Sequence, residues 1–270
     1  MARMRGVMAG FGVLCCLGGC GSSGAATAGA PAGDPVRVLR EAADALVAAG
    51  SSKATTSLEM ATGGTRVTIR GEGVYDYRRR LGRLKVMLPQ DPAGGTVRRP
   101  ITELLAPGAL FMKNRGAGVP ADKWVRVDTG TLSDGNLVTG GATDPYAAAE
   151  VLRGTRSATF VGRTEVAGAK VRHYRGTADL RQASREASGA NQESLGAAAT
   201  GFATARVPFD VYLDDDGRIR KLRHRFSFVN GRQEEPVAVA STTLLYDFGV
   251  VADVRLPHGD DIYAGRIAEE

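Results

Sequence analysis

From residue 53 onward the chain alternates apolar and polar positions in short runs, broken by Gly, Pro, Asn and Asp. Period-two alternation bounded by turn residues predicts β-strands. The runs fall at 53–61, 65–75, 80–88, 96–105, 109–113, 124–128, 157–166, 169–179, 205–214, 218–229 and 236–248. Within 206–214, Val207, Phe209, Val211 and Leu213 share one face, and Pro208, Asp210, Tyr212 and Asp214 share the other. The next run sets Leu222, Phe226 and Phe228 against Lys221, Arg223 and Arg225, and Leu84, Val86 and Leu88 form a third such set. Helical spacing replaces the alternation at 34–49, where Val36, Leu39, Ala43, Leu46 and Val47 recur, and at 144–153. Both stretches open on Asp-Pro, an N-cap followed by a proline at the first helical position, and both stop at a Gly. The stretch 180–200 is polar and Ala-rich, interrupted only by Gly189 and Gly196, which predicts a third helix with little packing content.

Consecutive strands joined by short turns pair as hairpins. The expected architecture is therefore α+β: one curved antiparallel sheet of about ten strands, a half-barrel, with two or three helices covering its open side. Strands that are apolar on one side only need cover on that side. Three modest helices leave part of a large concave face unfilled, and the remainder is an apolar cavity. The candidate lining residues are Val67, Ile69, Leu84, Val86, Phe209, Val211, Phe226 and Phe228.

Composition supports a folded chain: 43% of the 270 residues are hydrophobic and 24% charged, ordinary globular values. The N-terminus differs from the rest. Arg3 and Arg5 precede an uncharged, largely apolar run over 6–19, too short to cross a hydrocarbon core of about 30 Å as a permanent helix. A secretory signal is the better reading. All three cysteines, Cys15, Cys16 and Cys20, lie in or beside this run. Leu17-Gly18-Gly19-Cys20 resembles the bacterial lipobox, with Leu three positions before the Cys and small residues between. That resemblance implies a diacylglycerol group on the Cys20 thiol, cleavage before Cys20, and an acyl chain such as palmitate on the freed amine. The alternative is an ordinary signal peptide with incidental cysteines; Cys16, preceded by Cys15 and with Val13 at the Leu position, fits the lipobox less well. Residues 21–33 are Gly, Ala, Ser, Thr and Pro without charge, a flexible tether. The chain thus divides into a signal peptide at 1–19, a tether at 20–33 and one domain at 34–270. Two or three acyl chains make a stable anchor, at about 0.8 kcal/mol per buried methylene.

Loss of Arg3 and Arg5 with the signal leaves 33 basic against 29 acidic residues, a net charge of +4, too small to argue for nucleic acid. A domain without thiols beyond Cys20 has no Cys-ligated zinc, iron–sulfur cluster or thiol catalysis. No phosphate-binding loop, dinucleotide fingerprint, zinc-protease helix or nucleophile elbow occurs. His173, His224 and His258 lie far apart and read as strand or surface residues, and no nucleophile and base pair stands out, so no enzyme, metal or cofactor is expected. Asp214-Asp215-Asp216-Gly217 lacks the closing Glu of a calcium loop and reads as a hairpin turn. Arg78-Arg79-Arg80 and Arg98-Arg99 read as solvated turns, with contact to anionic head groups as the alternative, and Trp124 as a core or rim residue.

Several strings in order resemble the LolA-like actinobacterial lipoproteins, the mycobacterial LppX and LprG group. They are DPVRVLREAADAL from Asp34, Lys123-Trp124, DPYAAAEVL from Asp144, GRTEVAGAKVRHYRGTADL from Gly162, VPFDVYLDDDGRIRKL from Val207, LLYDFG from Leu244 and VRLP from Val254. The resemblance implies a half-barrel enclosing a hydrophobic pocket for the acyl chains of lipids or lipoglycans. It implies a protein anchored on the outer face of the cell membrane that carries such ligands through the envelope without covalent catalysis. The alternative on the same fold is a non-enzymatic envelope sensor or protein-interaction module whose cavity is filled by its own side chains.

Overall fold

The structure is a computed structural model that describes residues 33–62, 65–89, 99–116, 118–229 and 236–264. The signal peptide, Cys20 and most of the tether lie outside the described residues. By internal contacts the chain divides into Met1–Ala30 and Pro31–Glu270, and everything that follows belongs to the second unit.

The first helical stretch is α1 (Pro35–Arg40) and α2 (Ala42–Ala49), separated at Glu41. Asp34 caps α1 by accepting the Val36 N–H, and Gly50, at φ +85°, ends α2 in a conformation that a side chain would resist. Six strands follow: β1 (Ser51–Thr62), β2 (Thr65–Asp76), β3 (Leu81–Met87), β4 (Ile101–Ala106), β5 (Ala109–Lys113) and β6 (Val125–Asp128). A crossover over 129–154 contains α3 (Pro145–Val151) and leads to β7 (Thr155–Val166) and β8 (Ala169–Asp179). Then come α4 (Leu180–Glu186), α5 (Asn191–Gly201), β9 (Arg206–Leu213), β10 (Ile219–Val229) and β11 (Pro236–Tyr246).

All eleven strands belong to one antiparallel sheet in the order β6-β5-β4-β3-β2-β1-β11-β10-β9-β8-β7. Every neighbouring pair except β1 with β11 is consecutive in the chain. The first and last strands meet at the centre, with Leu58 opposite Ser241. This is the expected fold class, with helices packed on one face of a curled sheet. The topology also explains how that face is covered. β6 and β7 are the two edges, so the crossover joining them has to traverse the sheet, and it does so across the inner face.

The alternation on β9 is realised as read: Val207, Phe209, Val211 and Leu213 are buried on the inner face. The outer face of β3–β5 is apolar too, and the C-terminal segment covers it: Leu81, Leu104 and Phe111 pack with Val254, and Trp124 and Ile262 close the cluster. Ile262 also pairs in parallel beside β6 at Trp124, which blocks part of the edge.

Two expectations need correction. The stretch 180–200 is two helices, parted at 187–190 where Gly189 takes φ +55°. The cause is tertiary: the buried Glu150 carboxylate accepts hydrogen bonds from Ser188 N (3.0 Å), Ser188 Oγ (2.6 Å) and Asn191 Nδ2 (2.6 Å), holding the chain in a turn. Nor is its packing slight, because Leu180, Ala183, Leu195 and Ala198 are all buried.

Candidate functional site

The inner face has three zones, set by what the crossover and helices place over each. Over β8–β10 the space is filled. Phe202, just past α5, stacks on Phe226 with ring centroids 4.9 Å apart, and Phe209 lies so close to Gly176 that a Cβ there would meet its ring at 2.6 Å. At the centre, β1, β10 and β11 present a polar strip of Ser52, Thr56, His224, Ser241 and Thr243, all buried. Small residues of the crossover press onto its border. A Cβ on Gly71 of β2 would meet Thr56 Oγ1 at 2.6 Å and Ala142 Cβ at 3.0 Å, so only glycine lets the crossover approach so closely.

Toward the β4 and β5 end the cover lifts, leaving a cleft of about 860 Å³. Met60, Ile69, Leu88 and Ile101 form the sheet side; Val138 and Gly141 of the crossover face them, and Val119 and Pro120 come from the loop after β5. Asn114, Arg99, Arg115 and Thr139 add polar groups to the lining. The volume lies within the range of small-molecule sites, and the lining joins an apolar sheet side to a polar rim in nearly equal measure.

Two carboxyl groups and one imidazole are displaced from their ordinary values by burial. Glu103 of β4, two residues from Ile101 and on the same face, is fully buried, and neither carboxyl oxygen has a hydrogen-bond partner among the described residues. Burial pushes its carboxyl up to about 8, with the Arg115 guanidinium pulling the other way. Burial drives His224 down to about 3. Asp144, the N-cap of α3, is pushed up to about 6 by burial, against the Ala147 and Tyr146 N–H groups that stabilise its charge.

Of the residues selected from sequence, Ile69 lines the cleft. Val67 lies on the same strand and face, half-buried and paired with the cleft residue Met60. Val86 is buried directly under Gly141, whose Cβ would lie 3.3 Å from it. Leu84 is buried opposite Glu103. Phe209, Val211 and Phe226 are buried in the filled half of the inner face. Phe228 pairs with Val237 in the ladder, and its side chain lies outside the described residues. Of the described side chains selected from sequence, Ile69 thus lines the cleft, Val67 and Val86 adjoin lining residues, and the three β9 and β10 residues lie apart from it.

Sequence reasoning missed Met60, Ile101, Val119, Val138, Arg115 and Glu103. The first two follow from strand alternation, and Glu103 is a charge at an inward position between Ile101 and Leu105. Val119 and Val138 lie in loops that carry no periodic signal. The remaining sequence features take structural places. His173 Nε2 lies 2.8 Å from Asp210 Oδ1 and stacks on Tyr212 on the outer face. Asp214 accepts from the Arg218 N–H and guanidinium in the β9–β10 turn, which Gly217 closes at φ +78°. Trp124 is half-buried, with Lys113 Nζ 5.4 Å from its ring centre. Among the described residues no group of three or more metal-binding side chains comes together, and no helix is long and apolar enough to cross a membrane.

The fold and cleft define a class: an open, curled antiparallel sheet with a helical cover and an apolar cleft left at one end. No protein-family model matches the chain, and no curated protein matches it. Solved structures similar to it include the lipoprotein LppX of Mycobacterium tuberculosis, at 9% identity over 83% of this chain and 100% of that one, with a TM-score of 0.49. LprF of Mycobacterium bovis is similar at 14% identity over 83% of this chain and 97% of that one, with a TM-score of 0.39. A putative outer membrane lipoprotein-sorting protein domain from Vibrio parahaemolyticus is similar at 9% identity over 81% and 93%, with a TM-score of 0.33. LppX is one of the lipoproteins whose group the sequence strings resemble.

Proposed function

We propose that this protein is a membrane-anchored lipoprotein that holds the acyl chains of a lipid or lipoglycan in the cleft between β1, β2, β4 and the crossover, and carries them through the cell envelope. The observation that supports this reading is the cleft of about 860 Å³ with Met60, Ile69, Leu88 and Ile101 along one wall. Transfer of a chain from water onto such a wall is favourable by about 25 cal/mol per Å² of apolar surface buried. Cys20 supplies the anchor, acylated at its thiol, and places the domain on the outer face of the membrane. Enzymatic chemistry has no part in this mechanism, which is partition alone.

The test is native mass spectrometry of protein purified from bacterial envelopes, beside the variants Ile69→Trp and Val138→Trp. Retained acyl lipid in the parent and its loss in the two folded variants is the expected result. An empty parent protein refutes the reading. Separately, Cys20→Ala should release the protein from membranes, and unchanged retention would refute the anchor. A second reading, an envelope sensor or interaction module, draws on the filled β8–β10 half of the inner face, where Phe202 and Phe226 stack. It gains ground if no lipid is retained while a protein partner is lost on substitution of the cleft rim.

A further inference from the structure

The cleft has an apolar sheet side, and among its described lining residues it carries two cations and no acid: Arg99 is exposed, Arg115 is half-buried, and neither forms an ion pair with a described residue. On the outer face Arg175 and Arg225 are matched by Asp210 and Arg223 by Glu59. What distinguishes Arg99 and Arg115 is their place beside each other in the lining of an apolar-walled cleft. Among the described residues Arg115 donates to backbone carbonyls of the crossover, Gly140 O at 3.3 Å and Thr139 O at 3.4 Å, which orients its guanidinium without neutralising it. Asn114, also in the lining, donates to Pro100 O and brings the loop of Arg99 against the loop of Arg115.

Glu103, the acid that Arg115 influences, does not compensate them. Glu103 shares the inner face with Ile101 and is influenced by Arg115, but its burial keeps it protonated at neutral pH. A ligand that places an apolar chain along Met60, Ile69 and Ile101 would leave its polar end at the water boundary, where desolvating a charge costs least. That end meets two guanidinium groups, whose planar forks suit carboxylate or phosphate oxygens.

We propose that the cleft selects amphiphiles with an anionic head, carboxylate or phosphate, seated against Arg99 and Arg115 with the acyl chain directed along the apolar wall. This rests on the lipid-binding reading and narrows it to a charge class.

The experiment compares binding of cis-parinaric acid with binding of cis-parinaryl alcohol by fluorescence, in the parent protein and in Arg99→Gln, Arg115→Gln and the double variant. The acid should bind the parent about tenfold more tightly than the alcohol, the gain expected of two partly exposed ion pairs. The double variant should lose that preference and keep its affinity for the alcohol. Arg99→Gln alone, at an exposed residue, should lose part of the preference with an unchanged unfolding midpoint, which keeps the test open if Arg115→Gln disturbs the crossover. Equal affinity of the parent for acid and alcohol overturns the charge assignment and leaves lipid binding standing. Failure of both probes to bind overturns the lipid reading itself. Displacement of the acid by millimolar inorganic phosphate would mark a site for free anions and overturn the amphiphile assignment.

Discussion

Ser241 of β11 and Thr143 of the crossover lie with their hydroxyl oxygens 2.6 Å apart, both fully buried. Thr143 Oγ1 spends its one hydrogen on Leu137 O at 2.9 Å, so Ser241 must be the donor between the two. This relay fastens the crossover to the middle of the sheet and so fixes where the cover ends and the cleft begins.

Breaking the relay has an asymmetric cost. Ser241→Ala leaves Thr143 still donating to Leu137 and should cost about 1 kcal/mol. Thr143→Val strands both the Ser241 hydroxyl and the Leu137 carbonyl and should cost about 2–3 kcal/mol. The double variant should cost less than the sum, because the second change removes a group already left unpaired. Urea unfolding of the three variants measures this, and strict additivity would show that the relay is not a unit.

A second buried anchor holds the helical cover. Glu150 binds Ser188 and Asn191, and Arg153 Nε approaches it at 3.3 Å. Glu150→Ala leaves three donors of the α4–α5 turn without their acceptor, while the Arg153 guanidinium keeps Asp44. The expected loss is about 3–5 kcal/mol, the cost of breaking a buried charged network from one side. Limited trypsin digestion should then cut faster at Arg185, beside the turn; unchanged cleavage would show that the turn is held by packing alone.

The parts of the fold with a local cause could be read from sequence. Strand alternation is local, so the inner face of β9 and the Asp-Pro helix starts were legible from residues a few positions apart. The α4–α5 break was not, because its cause is Glu150, some 40 positions earlier in the chain. The path of the crossover was equally hidden, since Val138, Gly141 and Thr143 carry no periodicity and their place follows from joining the two edge strands. The candidate site was legible only where it sits on strands: Ile69 was found, whereas Val119 and Val138 contribute from loops. Phe209 and Phe226 have the same alternation as Ile69 but face Gly176 and Phe202, contacts that alternation does not encode.

Glycine positions separate close contact from backbone freedom. At Gly73 of β2 an added Cβ would lie 1.9 Å from Arg83 O, a backbone atom of the neighbouring strand that cannot swing away. Gly73→Ala should therefore cost about 3 kcal/mol or more, or prevent folding. Gly168, in the β7–β8 turn, has nothing within 4 Å of the same position but sits at φ +78°. Gly168→Ala should cost only about 1 kcal/mol, the penalty of a left-handed residue with a side chain. Thermal unfolding of the pair checks the order; equal losses would mean that the approach at Gly73 relaxes freely.

Glu103 gives the fold a dependence on pH whose sign can be worked out. Its carboxyl is raised from 4.5 to about 8 in the folded protein, by burial first and against the pull of Arg115. In the unfolded chain it ionises near 4.5, so between that value and about 8 the folded state holds a proton that the unfolded state has released. Stability then falls as pH rises across this window, at about 1.4 kcal/mol per unit for the one group. Two other displaced groups overlap only its lower part. Asp144, raised to about 6, acts in the same direction below that value, and His224, lowered from 6.5 to about 3, acts in the opposite direction below 6.5. From pH 6.5 to 8 the slope is left to Glu103. Glu103→Gln retains a buried polar group of the same shape but cannot ionise. It should flatten the stability profile between pH 6.5 and 8 and be the more stable form at pH 8. Urea midpoints of both proteins at half-unit intervals measure this, and parallel profiles would show that Glu103 ionises normally despite its burial.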